Sequence, residues 1–332
     1  MDITEQLVAI FGDRLKENEP MSKHTNFRIG GPARWFAEVK SAEELSRAMK
    51  VLKENRFANA NESANANQFA YYILGAGSNT LVSDEGVTGI VLQMAMRDVA
   101  IQGTTVVAGA GAISAGLARQ TAEAGLAGFE WAISLPGTVG GAVRGNAGCF
   151  GGEMKDVVRS VHVWRDDQIL ELGLNDLAFA YRDSAIKHSN DIIIDATLEL
   201  RPGNAEESKA KLAETLGKRK MSQPLYAGSA GCMFKNYEIK DDEELDKFKD
   251  ELMLPPAMVD KRQISCGWLI DRMDLKGMKI GGAQISPEHG NFIINSGDAT
   301  ASDVLQLISL VKTAARERYR IQLHEEVQLM GF

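Results

Sequence analysis

The stretch Ser134-Leu-Pro-Gly-Thr-Val-Gly-Gly-Ala-Val-Arg-Gly-Asn-Ala-Gly-Cys-Phe-Gly-Gly152 restricts what this chain can fold into more than any other. Glycine loses more backbone freedom on folding than any other residue. A run so rich in it is retained where φ > 0 turns are needed or where backbone N–H groups must come close to a ligand. Leu135, Val139, Val143 and Phe150 are interleaved with the glycines, which does not suit a disordered linker. The run reads as a buried turn system that wraps a phosphate-bearing cofactor.

The remaining composition narrows the function classes. The 332 residues are enough for two or three domains, with 44% apolar and 25% charged residues, ordinary values for a globular protein. The net charge of −8 argues against nucleic acid as a partner, because no global positive field would attract a polyanion. Cys149, Cys232 and Cys266 form neither a disulfide framework nor a metal-ligand spacing, and His24, His162, His188, His289 and His324 are scattered; no metal site is expected. The acidic start Met-Asp-Ile-Thr-Glu-Gln carries no apolar signal, and no apolar stretch is long enough to span a bilayer. A cytoplasmic protein without a membrane partner is expected.

Strand and helix patterns alternate along the chain, which points to α/β or α+β layers. Strands are expected at 35–39, 71–74, 89–93 and 106–108, a hairpin from 158–164 to 168–172, and strands at 192–200, 291–295 and 326–330. Ser41-Ala-Glu-Glu44 resembles a capping box opening a helix with Leu45, Met49 and Leu52 on one face. Further helices are expected at 114–124, 205–220, 241–254 (stopped by Pro255-Pro256) and 302–319. A composition shift at Arg201-Pro-Gly-Asn204 suggests a domain boundary. Residues 57–69, rich in Asn and Ala, read as a disordered insertion.

Gly75-Ala-Gly-Ser-Asn79 follows an apolar strand and is a second candidate phosphate loop, and Gly109-Ala-Gly111 is a third. Neither a dinucleotide-binding Gly-x-Gly-x-x-Gly fingerprint nor a Walker loop occurs, so several glycine turns together, including Pro136–Gly141, are expected to hold a nucleotide cofactor.

In order along the chain stand Thr25-Asn-Phe-Arg-Ile-Gly-Gly-Pro-Ala33, Leu74-Gly-Ala-Gly-Ser-Asn79, Leu135-Pro-Gly-Thr-Val-Gly-Gly-Ala142, Asn146-Ala-Gly148, Tyr181-Arg-Asp-Ser184, Ser229-Ala-Gly-Cys-Met-Phe-Lys-Asn236, Leu275-Lys-Gly277, Asn291-Phe-Ile-Ile-Asn295 and Leu323-His-Glu-Glu-Val327. This ordered set, spanning nearly the whole chain, closely resembles the UDP-N-acetylenolpyruvoylglucosamine reductase (MurB) family. The resemblance implies an α+β fold: a two-lobed FAD-binding domain of the vanillyl-alcohol-oxidase/PCMH type plus a smaller α+β substrate domain. The lobes would be 1–95, with 321–332 packing back on it, and 96–202, and the substrate domain 203–320.

The resemblance further implies an NADPH-dependent enzyme with non-covalent FAD that reduces UDP-N-acetylglucosamine enolpyruvate to UDP-N-acetylmuramate for peptidoglycan, working as a monomer. In that reaction the flavin N5 gives hydride to C3 and a protein acid protonates C2. The enolate that develops needs a fixed cation, and C2 needs an acid within hydrogen-bond reach. Carried over by motif, Arg182, Cys232 and Glu326 would be catalytic. FAD would be held by Gly75, Ala76, Gly77, Ser78, Asn79, Gly109, Gly111, Pro136, Gly137, Thr138, Gly140, Gly141, Asn146 and Gly148. Substrate would meet Tyr181, Lys235, Asn236, Gln284 and Asn295, with Arg219, Lys220 and Gln223 as weaker sources of positive potential.

Cys232 stands where the family more often has serine. A thiol with an ordinary pKa of about 8.5 is a far stronger acid than an alcohol, so Cys232 is expected to donate at least as readily and to be open to oxidation or alkylation. Glu325 is expected to be a solvated strand end. Tyr237 replaces a usual proline, Gly145 a bulkier apolar residue, and a charged insert precedes Cys266. The short stretch between Leu200 and Gln223 lacks a tyrosine-bearing loop, which assigns the chain to the simpler subclass. The rival readings are another FAD oxidoreductase of the same fold and a non-catalytic nucleotide-binding protein. Flavin content separates the last from the others.

Overall fold

The computed structural model describes residues 2–59 and 69–332. Most of the stretch expected to be disordered, 60–68, lies outside them. Its leading edge is ordered: Ala58–Asn59 is a short strand paired in parallel with Ala70 and Tyr71.

The first lobe is a five-stranded sheet in the order Lys16–Pro20, Pro32–Val39, Val87–Met94, Ala70–Leu74, Ala58–Asn59, parallel except for its first pair. Helices Ile3–Phe11 and Ala42–Glu54 cover one face. The second helix buries Leu45, Ala48, Met49 and Leu52, the stripe its spacing predicts. Ser41 caps it by accepting from the Glu44 amide, but no capping box closes. The Glu44 carboxylate instead accepts from the Lys40 amide and pairs with Arg14 at 2.6 Å.

The second lobe is an antiparallel five-stranded sheet in the order Gln168–Gly173, Val158–Arg165, Ile192–Glu199, Thr105–Gly109, Val99–Gln102. The expected hairpin is its outer pair. Helices Ser114–Glu123 and Val139–Arg144 share its core. Trp164, Ile192 and Ile194 join the buried cluster of the first lobe, so the two lobes share apolar surface.

The glycine-rich run is more than turns. It holds the six-residue helix Val139–Arg144, opened by Thr138, whose hydroxyl accepts from the Gly141 amide at 3.4 Å, and then a hairpin pairing Gly148–Cys149 with Gly152–Glu153.

The helix Ala205–Ser222 moves the boundary drawn at 203. It buries Leu212 in the second-lobe core, and Ser208 donates to Glu130 at 2.9 Å. The third core is built mainly from residues beyond it, with Phe27, Ile29 and Leu81 of the first lobe joining in. There, Asp242–Leu252, Pro256–Lys261, Cys266–Arg272 and Ala301–Tyr319 pack around the small sheet Lys279–Ile280, Ala283–Ile285, Ile293–Asn295. The helix expected at 241–254 ends before the prolines, because Met253 adopts φ +52°.

Two features fasten this third part to the first. The closing strand, shorter than expected at Gln328–Met330, pairs in parallel with Thr80–Val82 immediately beyond the Gly75–Asn79 turn. The helix Ala301–Tyr319 buries Val304, Leu307, Ile308 and Val311, each apolar side chain stabilising by about 1.5–3 kcal/mol. Its N-terminus has a complete capping box between Thr300 and Asp303, and Asp84 of the first lobe accepts from the amides of Ala301 and Ser302 at 2.7 and 3.0 Å. A carboxylate on these otherwise unpaired amides also complements the helix dipole.

Asp84→Ala is therefore expected to destabilise the protein by about 1–2 kcal/mol in denaturant unfolding, since both amides and the dipole lose their partner. An unchanged midpoint would show that water substitutes for the carboxylate.

Candidate active site

The three glycine turns meet in space. A Cβ on Gly75 would lie 2.6 Å from the Thr138 hydroxyl, one on Gly137 3.0 Å from the Ser78 hydroxyl, and one on Gly140 2.8 Å from the Ala110 Cβ. The Gly140 amide donates to the Ala110 carbonyl at 2.9 Å and the Val139 amide to Ala112 at 2.8 Å, which holds the short helix against the Gly109–Gly111 turn. Gly77 has φ +62°, and a Cβ there would fall 2.0 Å from the His24 carbonyl oxygen. Glycine is thus required by conformation and by clearance at once.

Between the turns lies a cleft of about 220 Å³ lined by Gly75, Ala76, Gly111 and Thr138, with Thr25, Asn26 and Gln93 beside them and Lys23 and Arg97 adding positive charge. Gln93 steadies the loop by donating to the Gly75 carbonyl at 3.0 Å. The donor set suits a diphosphate: backbone amides, a hydroxyl and two cations. Asn79 adds a sharper sign. Its amide nitrogen donates to the Glu326 carbonyl at 3.0 Å, while its Oδ1 is buried without a partner among the described residues. An orphaned buried acceptor is costly to leave unmatched, so a ligand donor is expected there. Asn146 and Gly148 are turned inward. The Asn146 side chain is bound by Glu153, the Ala180 carbonyl and the Lys155 amide, and the Gly148 carbonyl accepts from Arg182 at 2.7 Å.

Beside this cradle the chain brings together residues from three distant segments. Arg182 lies at φ +55° in a tight turn closed by reciprocal bonds between Ala180 and Asp183. Its Nε is 3.0 Å from Glu326 Oε1. Glu326 is set by its own amide, which donates to the Met233 carbonyl at 2.8 Å, one residue beyond Cys232. Cys232 bridges to Phe292, and Phe234 to Glu325, so the Cys232 segment is threaded between the third core and the closing segment. The Tyr181 hydroxyl accepts from the Asn236 amide at 3.3 Å.

The electrostatics follow from this packing. Burial pushes the Glu326 carboxyl above its ordinary range, against the pull of Arg182, Lys187 and Lys235. The Cys232 thiol is pushed up to about 12, first by burial and then by the Glu326 charge, while Arg182, a hydrogen bond with Asn291, and Arg219 pull it back. The thiol is therefore a weaker acid than the ordinary value expected from its sequence, although Cys232 itself is only partly buried. Burial likewise pushes Tyr181 and Cys266 up to about 12 and raises Cys149. Cys149 is hydrogen-bonded to Ser134 at 2.9 Å, and the Cys266 thiol donates to the Lys235 carbonyl at 2.9 Å.

Other expected contacts are partly occupied. Asn236 accepts from the Cys266 amide and donates to Gln263, Gln284 donates to the Gly277 carbonyl, and Asn295 ties Phe27 to the turn at Gly297. Glu325 is not simply solvated, since it pairs with Lys312 at 2.6 Å. Lys187, on the 3-10 turn Ala185–His188, reaches the Arg182 carbonyl at 3.2 Å, a role that a single lysine does not signal in sequence.

Comparison with known proteins agrees with this architecture. Residues 33–172 match the family model of an FAD binding domain, and 223–330 that of the UDP-N-acetylenolpyruvoylglucosamine reductase C-terminal domain. The UDP-N-acetylenolpyruvoylglucosamine reductase of Alkaliphilus oremlandii is 37% identical, the match covering 95% of this chain and 92% of that protein. The one from Caldanaerobacter subterraneus subsp. tengcongensis is 36% identical, with 98% and 99% covered. The crystal structure of the Thermus caldophilus enzyme superposes with a TM-score of 0.72 at 34% identity, covering 94% of this chain and 97% of that one.

Gly77→Ala would strain the backbone by about 1–3 kcal/mol and drive a Cβ into a carbonyl. The expected result is cofactor affinity weaker by about 10- to 100-fold, read as lost flavin absorption in the purified variant. Full flavin content would mean that the turn does not hold the cofactor.

Proposed function

Because the chain belongs to the UDP-N-acetylenolpyruvoylglucosamine reductase family, we propose that NADPH is its reductant and that Arg182, Cys232 and Glu326 serve its chemistry. The protein is an FAD-dependent reductase of enolpyruvyl-UDP-N-acetylglucosamine in peptidoglycan synthesis. The observation that supports these roles best is the 3.0 Å pair between Arg182 and Glu326, with Cys232 within the field of both.

FAD fits the cradle formed by Gly75–Asn79, Gly109–Gly111 and Pro136–Gly141, where the orphaned Asn79 Oδ1 awaits a donor. When bound there, it supplies the hydride for C3 of the enolpyruvyl group.

The protein's part begins with the substrate carboxylate. Arg182 is anchored by Glu326 through Nε and by the Gly148 carbonyl through one Nη. Its other Nη presents a permanent positive charge to the carboxylate and to the enolate that grows from it. Because this charge is held in place before reaction, it lowers the barrier without reorganising. Glu326 keeps the guanidinium from swinging away.

Cys232 then protonates C2. A thiol with a pKa of about 12 is fully loaded at neutral pH, and an enolate carbon is a far stronger base than a thiolate, so transfer remains downhill. The thiolate left behind lies in the field of Arg182 and Arg219 and is reprotonated from solvent. Lys235 and Tyr181 border the same space, and their positive charge and hydroxyl suit the anionic nucleotide substrate. Substrate and NADPH use this site in turn, and the enzyme works as a cytoplasmic monomer.

Anaerobic mixing separates the steps. Cys232→Ala is expected to keep flavin bleaching by NADPH while slowing reoxidation by the enolpyruvyl substrate by about 10²–10⁴-fold, the usual worth of a positioned acid. Cys232→Ser should retain substantial turnover. Wild-type reoxidation in the alanine variant would remove Cys232 from its role.

A further inference from the structure

Lys187 is a half-buried ammonium with an unusual set of neighbours. Among the described residues no carboxylate lies within ion-pair distance of its Nζ. Asp183 is instead paired with His188 at 2.9 Å. The charged groups that act on Lys187 are Asp183, Arg144, Lys235 and Glu326, two of them cations. Two carboxylates and two cations thus face the ammonium, and a charge half-shielded from water needs something to meet it.

Its bonding shows what. Nζ donates to the carbonyl of Arg182 at 3.2 Å. That carbonyl belongs to the residue whose backbone sits at φ +55°, a region that non-glycine residues adopt at a cost and keep only when their surroundings enforce it. The support is itself supported. An Nη of Arg144 reaches the Lys187 carbonyl at 3.4 Å, and the Ser184 hydroxyl donates to the Arg144 carbonyl at 2.7 Å. Lys187 is thus tied at both its head and its backbone, and the left-handed Arg182 is the residue its head holds.

We propose that Lys187 is a positioning residue for the reduction: by donating to the Arg182 carbonyl it locks the strained turn that aims the guanidinium at the enolate, without touching substrate itself. This rests on the reading of Arg182 as the enolate-stabilising group. A guanidinium displaced by about 1 Å is enough to cost about 10²-fold in rate.

The test uses the full-length holoenzyme in anaerobic stopped flow, with flavin content and Tm confirming that each variant is folded. Lys187→Met is expected to slow reoxidation by the enolpyruvyl substrate by about 10²-fold, and reduction by NADPH by less than about 3-fold. Lys187→Arg, which restores a charged donor, should recover most of the loss. On an Arg182→Ala background, Lys187→Met should cost less than about 3-fold further, because the two act as one unit. Wild-type reoxidation in Lys187→Met, no recovery in Lys187→Arg, or an undiminished loss on the Arg182→Ala background overturns the proposal while leaving Arg182 in its role. Wild-type reoxidation in Arg182→Ala alone overturns the reading of Arg182, and the proposal with it.

Discussion

The parallel pairing of Gln328–Met330 with Thr80–Val82 is the constraint on which the rest of the molecule leans. The closing strand leaves the third core, crosses to the first lobe and settles directly behind the Gly75–Asn79 turn. Its approach fixes Glu326 on both sides: the amide on the Met233 carbonyl, and the carbonyl on the Asn79 side chain. Glu326 in turn fixes Arg182, which arrives from the second lobe. Three segments that meet nowhere else in sequence are thereby held to one point. The cap that Asp84 places on the helix Ala301–Tyr319 secures the same joint from the other side.

Charge is distributed to match. The chain as a whole is negative, with a net charge of −8, yet Arg182, Lys187 and Lys235 converge on Glu326, and Arg182 and Arg219 on Cys232. A small anion that enters the site meets a local positive field, while long polyanions are repelled by the exterior. Burial of one carboxylate among these cations serves geometry more than stability, since desolvation offsets much of the attraction.

How much was legible in the sequence follows the physics of each feature. The glycine turns were legible because conformational demand and steric clearance both select glycine, and both leave a mark in composition. The helix Val139–Arg144 was not, because glycine is a poor helix former; the Thr138 cap and the Ala110 contact impose it from outside. The helix Ala205–Ser222 is legible but its core is not, since its charged sequence says little about which neighbour covers Leu212. Asn236, Gln284 and Asn295 show a general ambiguity: an amide side chain that could meet a ligand is equally suited to closing a turn. How firmly Cys232 holds its proton is not legible in the sequence. It depends on partial burial and on a carboxylate almost a hundred positions away, and neither is a local property.

That protonation has a consequence for chemistry directed at the enzyme. A cysteine proposed as the acid of a reaction invites electrophilic inhibitors, but most warheads react with thiolate. Here the resting sulfur stays a thiol throughout the neutral range. On the proposed role of Cys232, a warhead placed at this site needs its own means of removing the proton, or must mimic the carbon that the thiol would protonate. A nucleotide analogue that takes up the guanidinium charge and presents a basic carbon or nitrogen to the sulfur would exploit the site as it stands.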